Sequence, residues 1–179
     1  MNFEKEFSSR LKLKKPKNRY IKKKFESFLK NRFKGIFLIY KNYTKFLTKN
    51  KKNFYHPTRV AYYLSIIDKK INKDKIIMAI FHNFYELKIK DKIIEDLGIK
   101  KNLKIKLKKL EIEREKRWNK KYLKKYYKRL DSTSKDVKLI KCIDKLDNLF
   151  NLFKNPNKKI KIDYLWEIKK YIFPLSLNL

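Results

Sequence analysis

The chain has 179 residues, enough for one domain with a sizeable core, and its 42% apolar content excludes wholesale disorder. With 51 Lys and Arg against 18 Asp and Glu, the formal net charge is +33, a field that attracts nucleic acid, nucleotides and anionic membranes. Cys142 is the single cysteine, which excludes an internal disulfide and a cysteine-rich zinc motif and fits a small apolar filler, and no apolar run is long enough to span a bilayer.

The basic lead-in, residues 1–18, has no persistent apolar face and reads as a flexible arm ahead of a domain spanning 19–179. It lacks the apolar stretch of a secretory signal, and Glu4 and Glu6 sit poorly in a transit peptide, so a cytoplasmic protein is expected. Tyr20, Ile21, Phe25, Phe28 and Leu29 then recur at helical spacing, and Ile36, Phe37, Ile39, Tyr40, Tyr43, Phe46 and Leu47 mark a second helix. TKNKKNF (48–54) breaks the pattern as a polar loop. HPTRVAYYLSII (56–67) opens a helix with Pro57 in its first turn, where the missing donor would have no partner anyway.

The most apolar stretch, DKIIMAIFHNFYELKI (74–89), predicts one long central helix, and Gly98 closes a short one in DKIIEDLG (91–98). Leu103, Leu107, Leu110, Trp118, Tyr122, Leu123, Tyr126 and Tyr127 give the Lys-rich stretch 100–130 a core-facing stripe. DSTSKDV (131–137) offers capping side chains to a buried helix, VKLIKCIDKLDNLFNLF (137–153), and YLWEIKKYIF (164–173) is the last helix. No strand pattern and no internal repeat is present, so the fold class is all-α.

Polar residues inside these apolar helices need partners and are informative for that reason. His56 opens one helix, His82 lies in the next, and Glu86 follows His82 by four residues, which predicts that the two share a helix face. Asp144 and Asn148 repeat that spacing among Ile143, Leu146, Leu149 and Phe150. A lone helical histidine is more often a satisfied core residue than a ligand. Two histidines with carboxylates, however, make the donor set that Mn²⁺, Fe²⁺ or Zn²⁺ sites use.

This order of residues resembles the HD superfamily of metal-dependent phosphohydrolases, and more closely the (p)ppGpp hydrolase domain of the RelA/SpoT family, including its small free-standing hydrolases. HPTRVAYYL (56–64) resembles the family's HP-xx-VA opening, HNFYELK (82–88) its HDVVEDT, IIEDLG (93–98) its isoleucine and FG step, and DVKLIKCIDKLDN (136–148) its DVRVILIKLADRLHN. Glu167 and PLS at 174–176 match its E and PLA. The likeness covers roughly 30–179 and implies an HD-domain helical bundle. It makes His56, His82 and Asp144 metal ligands with Asn83 in the fourth position, Glu86 the residue that handles the attacking water, and Asn148 and Lys145 neighbours of the nucleotide.

The cofactor so implied is Mn²⁺ or another divalent metal, and the substrate a guanosine nucleotide such as (p)ppGpp. Three departures accompany the likeness: Asn83 stands for the aspartate of the HD pair, Leu87 for the second acid, and Asp147 for a histidine. A neutral carbonyl ligand and a lost acid weaken both metal binding and water activation. The expected activity is therefore a weakened 3′-pyrophosphohydrolase. The alternative is a catalytically dead HD fold that binds a nucleotide, RNA or a ribosome-like assembly through its basic surface, with KRWNKKYLKKYYKRL (116–130) contacting phosphates and stacking bases. Abundant Lys, Asn, Ile, Tyr and Phe beside two Gly is also the residue set of an AT-rich genome, so charge alone names no partner.

Overall fold

The structure, a computed structural model, describes residues 17–152 and 155–179. The expected basic arm, up to residue 16, and Phe153 lie outside the described residues; Asn18 already belongs to the first helix. Among the described residues the chain is helical with no strand, as its apolar periodicity predicts.

Helix α1 (Asn18–Arg32) buries Ile21, Phe25 and Leu29, and α2 (Lys34–Lys49) buries Ile36, Tyr40, Tyr43 and Leu47, one stripe each at intervals of three and four. Their stripes meet where Phe25 packs edge-on to Tyr40, ring centroids 5.3 Å apart. Helix α3 (Tyr55–Ile67) starts with Pro57 in its first turn and is buried along Pro57, Thr58, Val60, Ala61, Tyr63 and Leu64. Thr58 ties it inward, sharing a 3.1 Å hydrogen bond with the Tyr40 hydroxyl.

Helix α4 (Lys73–Phe81) is capped by the Asn72 carboxamide, which accepts from the Lys75 amide. It ends eight residues before the sequence pattern predicts. Residues 82–88 form successive hydrogen-bonded turns, Phe84 N–H to Phe81 carbonyl, Leu87 to Asn83 and Lys88 to Tyr85. Phe84 is wholly buried in that turn region, so the apolar pattern runs on after the helix has stopped. Helix α5 (Asp91–Asp96) terminates at Gly98, whose φ of +68° is the left-handed geometry that favours glycine.

The Lys-rich stretch holds two helices, α6 (Lys101–Leu110) and α7 (Lys120–Asp131), separated by a segment containing a single 3₁₀ turn at Arg114–Lys116. Leu103, Leu107, Leu110, Leu123, Tyr126 and Tyr127 face the core as expected, whereas Trp118, in the intervening segment, is 40% exposed. The hydroxyls of Ser132 and Thr133 bond back to the Arg129 and Leu130 carbonyls and so close α7; they do not start the next helix. Helix α8 (Lys135–Leu152) is buried over most of its circumference, and α9 (Lys158–Glu167) continues through a π-helical segment, Ile168–Ile172, into α10 (Phe173–Leu177). Cys142 of α8 is partly buried, and burial pushes its thiol up to about 12, consistent with an inert filler.

Packing explains where a site can form. Helix α3 lies against α1, α4 and α8, and α4 also touches α8 and α6, so α3, α4 and α8 meet at the centre. No helix among the described residues is long and apolar enough to cross a membrane.

Candidate metal centre

His56 stands at the second position of α3, His82 immediately follows α4, and Asp144 sits midway along α8. Because these helices converge, the three side chains meet. His56 Nε2 lies 2.9 Å from His82 Nε2 and 3.1 Å from Asp144 Oδ1, and His82 Nε2 lies 3.6 Å from the same oxygen. Donors placed roughly 2.1 Å from a shared centre have such separations when they subtend angles of roughly 90–120°.

The outer nitrogens decide what the inner ones can do. His82 Nδ1 is 2.8 Å from the Ala79 carbonyl, which can only accept, so Nδ1 carries the proton and the Nε2 lone pair faces inward. His56 Nδ1 is 2.7 Å from Asp147 Oδ2, a carboxylate that holds this ring the same way. Two imidazole lone pairs and a carboxylate oxygen thus face one another at contact distance, which favours a cation between them. In the absence of metal a proton serves. Burial works against the imidazolium, but Asp144 and Asp147 outweigh it and raise His56 to about 9. Burial likewise opposes ionisation of Asp144, yet Lys141, His56 and His82 hold its carboxyl well below the usual range.

Asp147 is the anchor of an outer layer. Its two oxygens accept from Arg59 Nε at 2.6 Å and Nη2 at 2.8 Å, a bidentate pair, while Arg59 Nη1 donates to Asn18 Oδ1. Although burial opposes it, the bonds from His56 and Arg59 keep Asp147 below the ordinary carboxylate range. Asp144 is braced by Asn148 Nδ2 at 2.7 Å and by Lys141 Nζ, which is 3.0 Å from Oδ2.

These groups open onto a cavity of about 130 Å³, lined by His56, Asn83, Glu86 and Asp144 and also by Arg114, Arg117, Lys141, Lys145 and Asn148. Asn83 Oδ1 is buried and has no hydrogen-bond partner, an acceptor left open beside the triad. Two imidazoles, a carboxylate and this carbonyl are oxygen and nitrogen donors of the kind a divalent ion takes, so the residues present fit such a group. Glu86 accepts weakly from the Ile112 amide at 3.3 Å and lies 3.5 Å from Lys141 Nζ.

The structure therefore brings His56, His82 and Asp144 into contact and lines the adjoining cavity with Asn83, Glu86, Asn148 and Lys145. It does not put His82 and Glu86 on one helix face, because α4 stops at Phe81. Lys145 is turned to another partner, donating at 2.6 Å to Glu167, which also accepts from the Tyr127 hydroxyl. Leu87 packs against the core. Sequence reasoning missed Arg59 and Lys141, although both lie three residues from a member of the triad, at a spacing that places them one turn away. Set beside known protein families, curated proteins and solved structures, the chain matches none of them.

Proposed function

We propose that the chain is a metal-dependent phosphohydrolase of the HD type, weakened by its neutral Asn83, with a guanosine nucleotide pyrophosphate such as (p)ppGpp as substrate. The observation that carries this reading is the 2.9, 3.1 and 3.6 Å triangle of His56, His82 and Asp144 at the wall of a cavity with cationic lining. When bound, Mn²⁺ or a similar ion would be held by these three residues and Asn83, and would polarise a phosphoryl oxygen and make water more acidic. Glu86 is the cavity carboxylate available to orient the attacking water and take its proton, as the bond from phosphorus to the ribose 3′ oxygen breaks. Asn148 and Lys145 line the same cavity, which this reading gives to the nucleotide, although Lys145 is paired with Glu167.

Calorimetric titration with Mn²⁺, paired with pyrophosphate release from ppGpp, tests the reading. Metal binding and turnover by the native chain, both lost in His56→Gln, support it; turnover only in the Asn83→Asp, Leu87→Asp double variant indicates a decayed enzyme. No metal binding in the native chain sinks the metal centre, and no turnover in either form sinks the substrate. The second reading, a dead HD fold binding a nucleotide, RNA or a ribosome-like assembly, is favoured by Asn83 and Leu87 together, which leave one carboxylate where the family has three. That reading predicts RNA binding that weakens steeply with salt.

A further inference from the structure

We propose that Arg117, with Arg114 beside it, forms a phosphate-binding subsite in the cavity, distinct from the triad of His56, His82 and Asp144. Four cationic residues line that cavity against two carboxylates, Glu86 and Asp144, so the surplus is positive. Two of the four are already committed. Lys141 lies against Asp144 Oδ2 and donates to the Leu110 carbonyl, and Lys145 is paired with Glu167. Arg117 is not. It is half-buried, with its guanidinium 5.2 Å from the Trp118 ring centroid and 5.6 Å from that of Tyr164, and its Nε is buried with no hydrogen-bond partner. No carboxylate among the described residues lies within ion-pair distance of it; Glu167, Asp144 and Glu86 act on it only from further away.

A half-buried cation held against two aromatic rings is restricted in position, and an unfilled buried donor on it calls for an acceptor. Arginine presents a planar fork of N–H groups that matches the oxygens of a phosphoryl group. Arg114 is exposed at the same opening and adds a second cation. The anion is thus a phosphoryl or pyrophosphoryl group, small enough for the cavity and delivered next to Asp144. That the anion belongs to a nucleotide rests on the phosphohydrolase reading; the existence of the subsite does not.

The chain has two tryptophans, so Trp166→Phe leaves Trp118, whose ring lies beside the Arg117 guanidinium, as the sole tryptophan reporter. Sodium pyrophosphate is titrated into that variant with a chelator present, at roughly 0.15 M salt, where charges beyond about 8 Å are largely screened. A saturable change in Trp118 emission is expected. Adding Arg117→Met should weaken the calorimetric affinity for pyrophosphate at least about tenfold, Arg117→Lys less, and Arg129→Met, on the exposed side of α7, not at all. A response that never saturates, or equal weakening by Arg117→Met and Arg129→Met, overturns the subsite. Because metal is chelated, that failure leaves the Mn²⁺ titration untouched, and failure of Mn²⁺ binding leaves this one untouched. Should Arg117→Met not fold, the Lys variant decides: affinity identical to the parent overturns the proposal.

Discussion

Asp147→Asn should separate the support of the site from the site itself. Asp147 is 1% exposed and its two oxygens bind Arg59 and His56 at 2.6–2.8 Å. A carboxamide keeps the shape but loses the charge, and one of its two heads can no longer accept. Arg59, itself buried, is then left as a cation without its counter-charge, and breaking one side of a buried pair costs about 3–5 kcal/mol. At roughly 2–4 °C per kcal/mol for a domain of this size, the melting temperature of the metal-free protein should fall by about 6–20 °C. Mn²⁺ affinity should fall by roughly 10–100-fold, because the His56 ring loses the carboxylate that orients it and makes it a better donor. The Arg59→Met, Asp147→Leu double variant removes both charges and should regain most of the stability but none of the affinity. An Asp147→Asn protein that melts and binds Mn²⁺ like the parent would refute the role assigned to this residue.

Three further outcomes follow from the same structure. His56 has its ordinary value of 6.5 when unfolded and about 9 when folded, so its proton stabilises the metal-free fold fully below about pH 6.5, and that stability is lost as pH rises through about 9. The loss is on the order of 3 kcal/mol at about 1.4 kcal/mol per pH unit, and it should be absent from chelator-treated His56→Gln melted across the same range. Mn²⁺ affinity should rise over that window, since the metal displaces the proton. Glu167→Gln should lower the urea midpoint by the equivalent of about 3–5 kcal/mol, because the buried Lys145 ammonium loses the only carboxylate among the described residues within ion-pair distance; an unchanged midpoint would show that Lys145 is folded neutral. Gly98→Ala should cost about 1 kcal/mol at its φ of +68°, whereas Gly35→Ala in α2, with open space around its Cβ, should gain up to about 1 kcal/mol in thermal melts.

What could be read from the chain depended on whether burial leaves a mark on residue type. Helices α1 and α2 were legible because each alternates apolar and Lys-rich faces at helical intervals, and α3 and α8 because each is an apolar run of helical length. The end of α4 was not, because Phe84 is buried from a turn and keeps the apolar rhythm going after the backbone has left the helix. The break between α6 and α7 was hidden by buried Ile112 and half-exposed Trp118, which carry the apolar pattern across it. His56, His82 and Asp144 stood out as polar residues inside apolar runs, the one pattern that demands a partner. Arg117 could not stand out. Among so many lysines and arginines, nothing in the sequence distinguishes the half-buried cation beside two rings from those in water. Asp147, visible as a departure from the family pattern, gave no hint that Arg59 would meet it, since 88 residues separate them.

The early stop of α4 has a consequence for every experiment on this centre. A helix leaves its last four carbonyls without amide partners. Ala79 carries one of them, and the ring of His82 fills it, so the side chain that faces the triad with one nitrogen also closes the helix with the other. Candidate ligand and cap are the same residue. Removing His82 therefore loosens the end of a core helix as it empties a corner of the site, and a dead His82 variant would say nothing about which of the two was lost. Pulled the other way, an ion gripping Nε2 tightens a backbone turn deep in the bundle, so occupancy of the centre should be readable from amide exchange around residues 79–84.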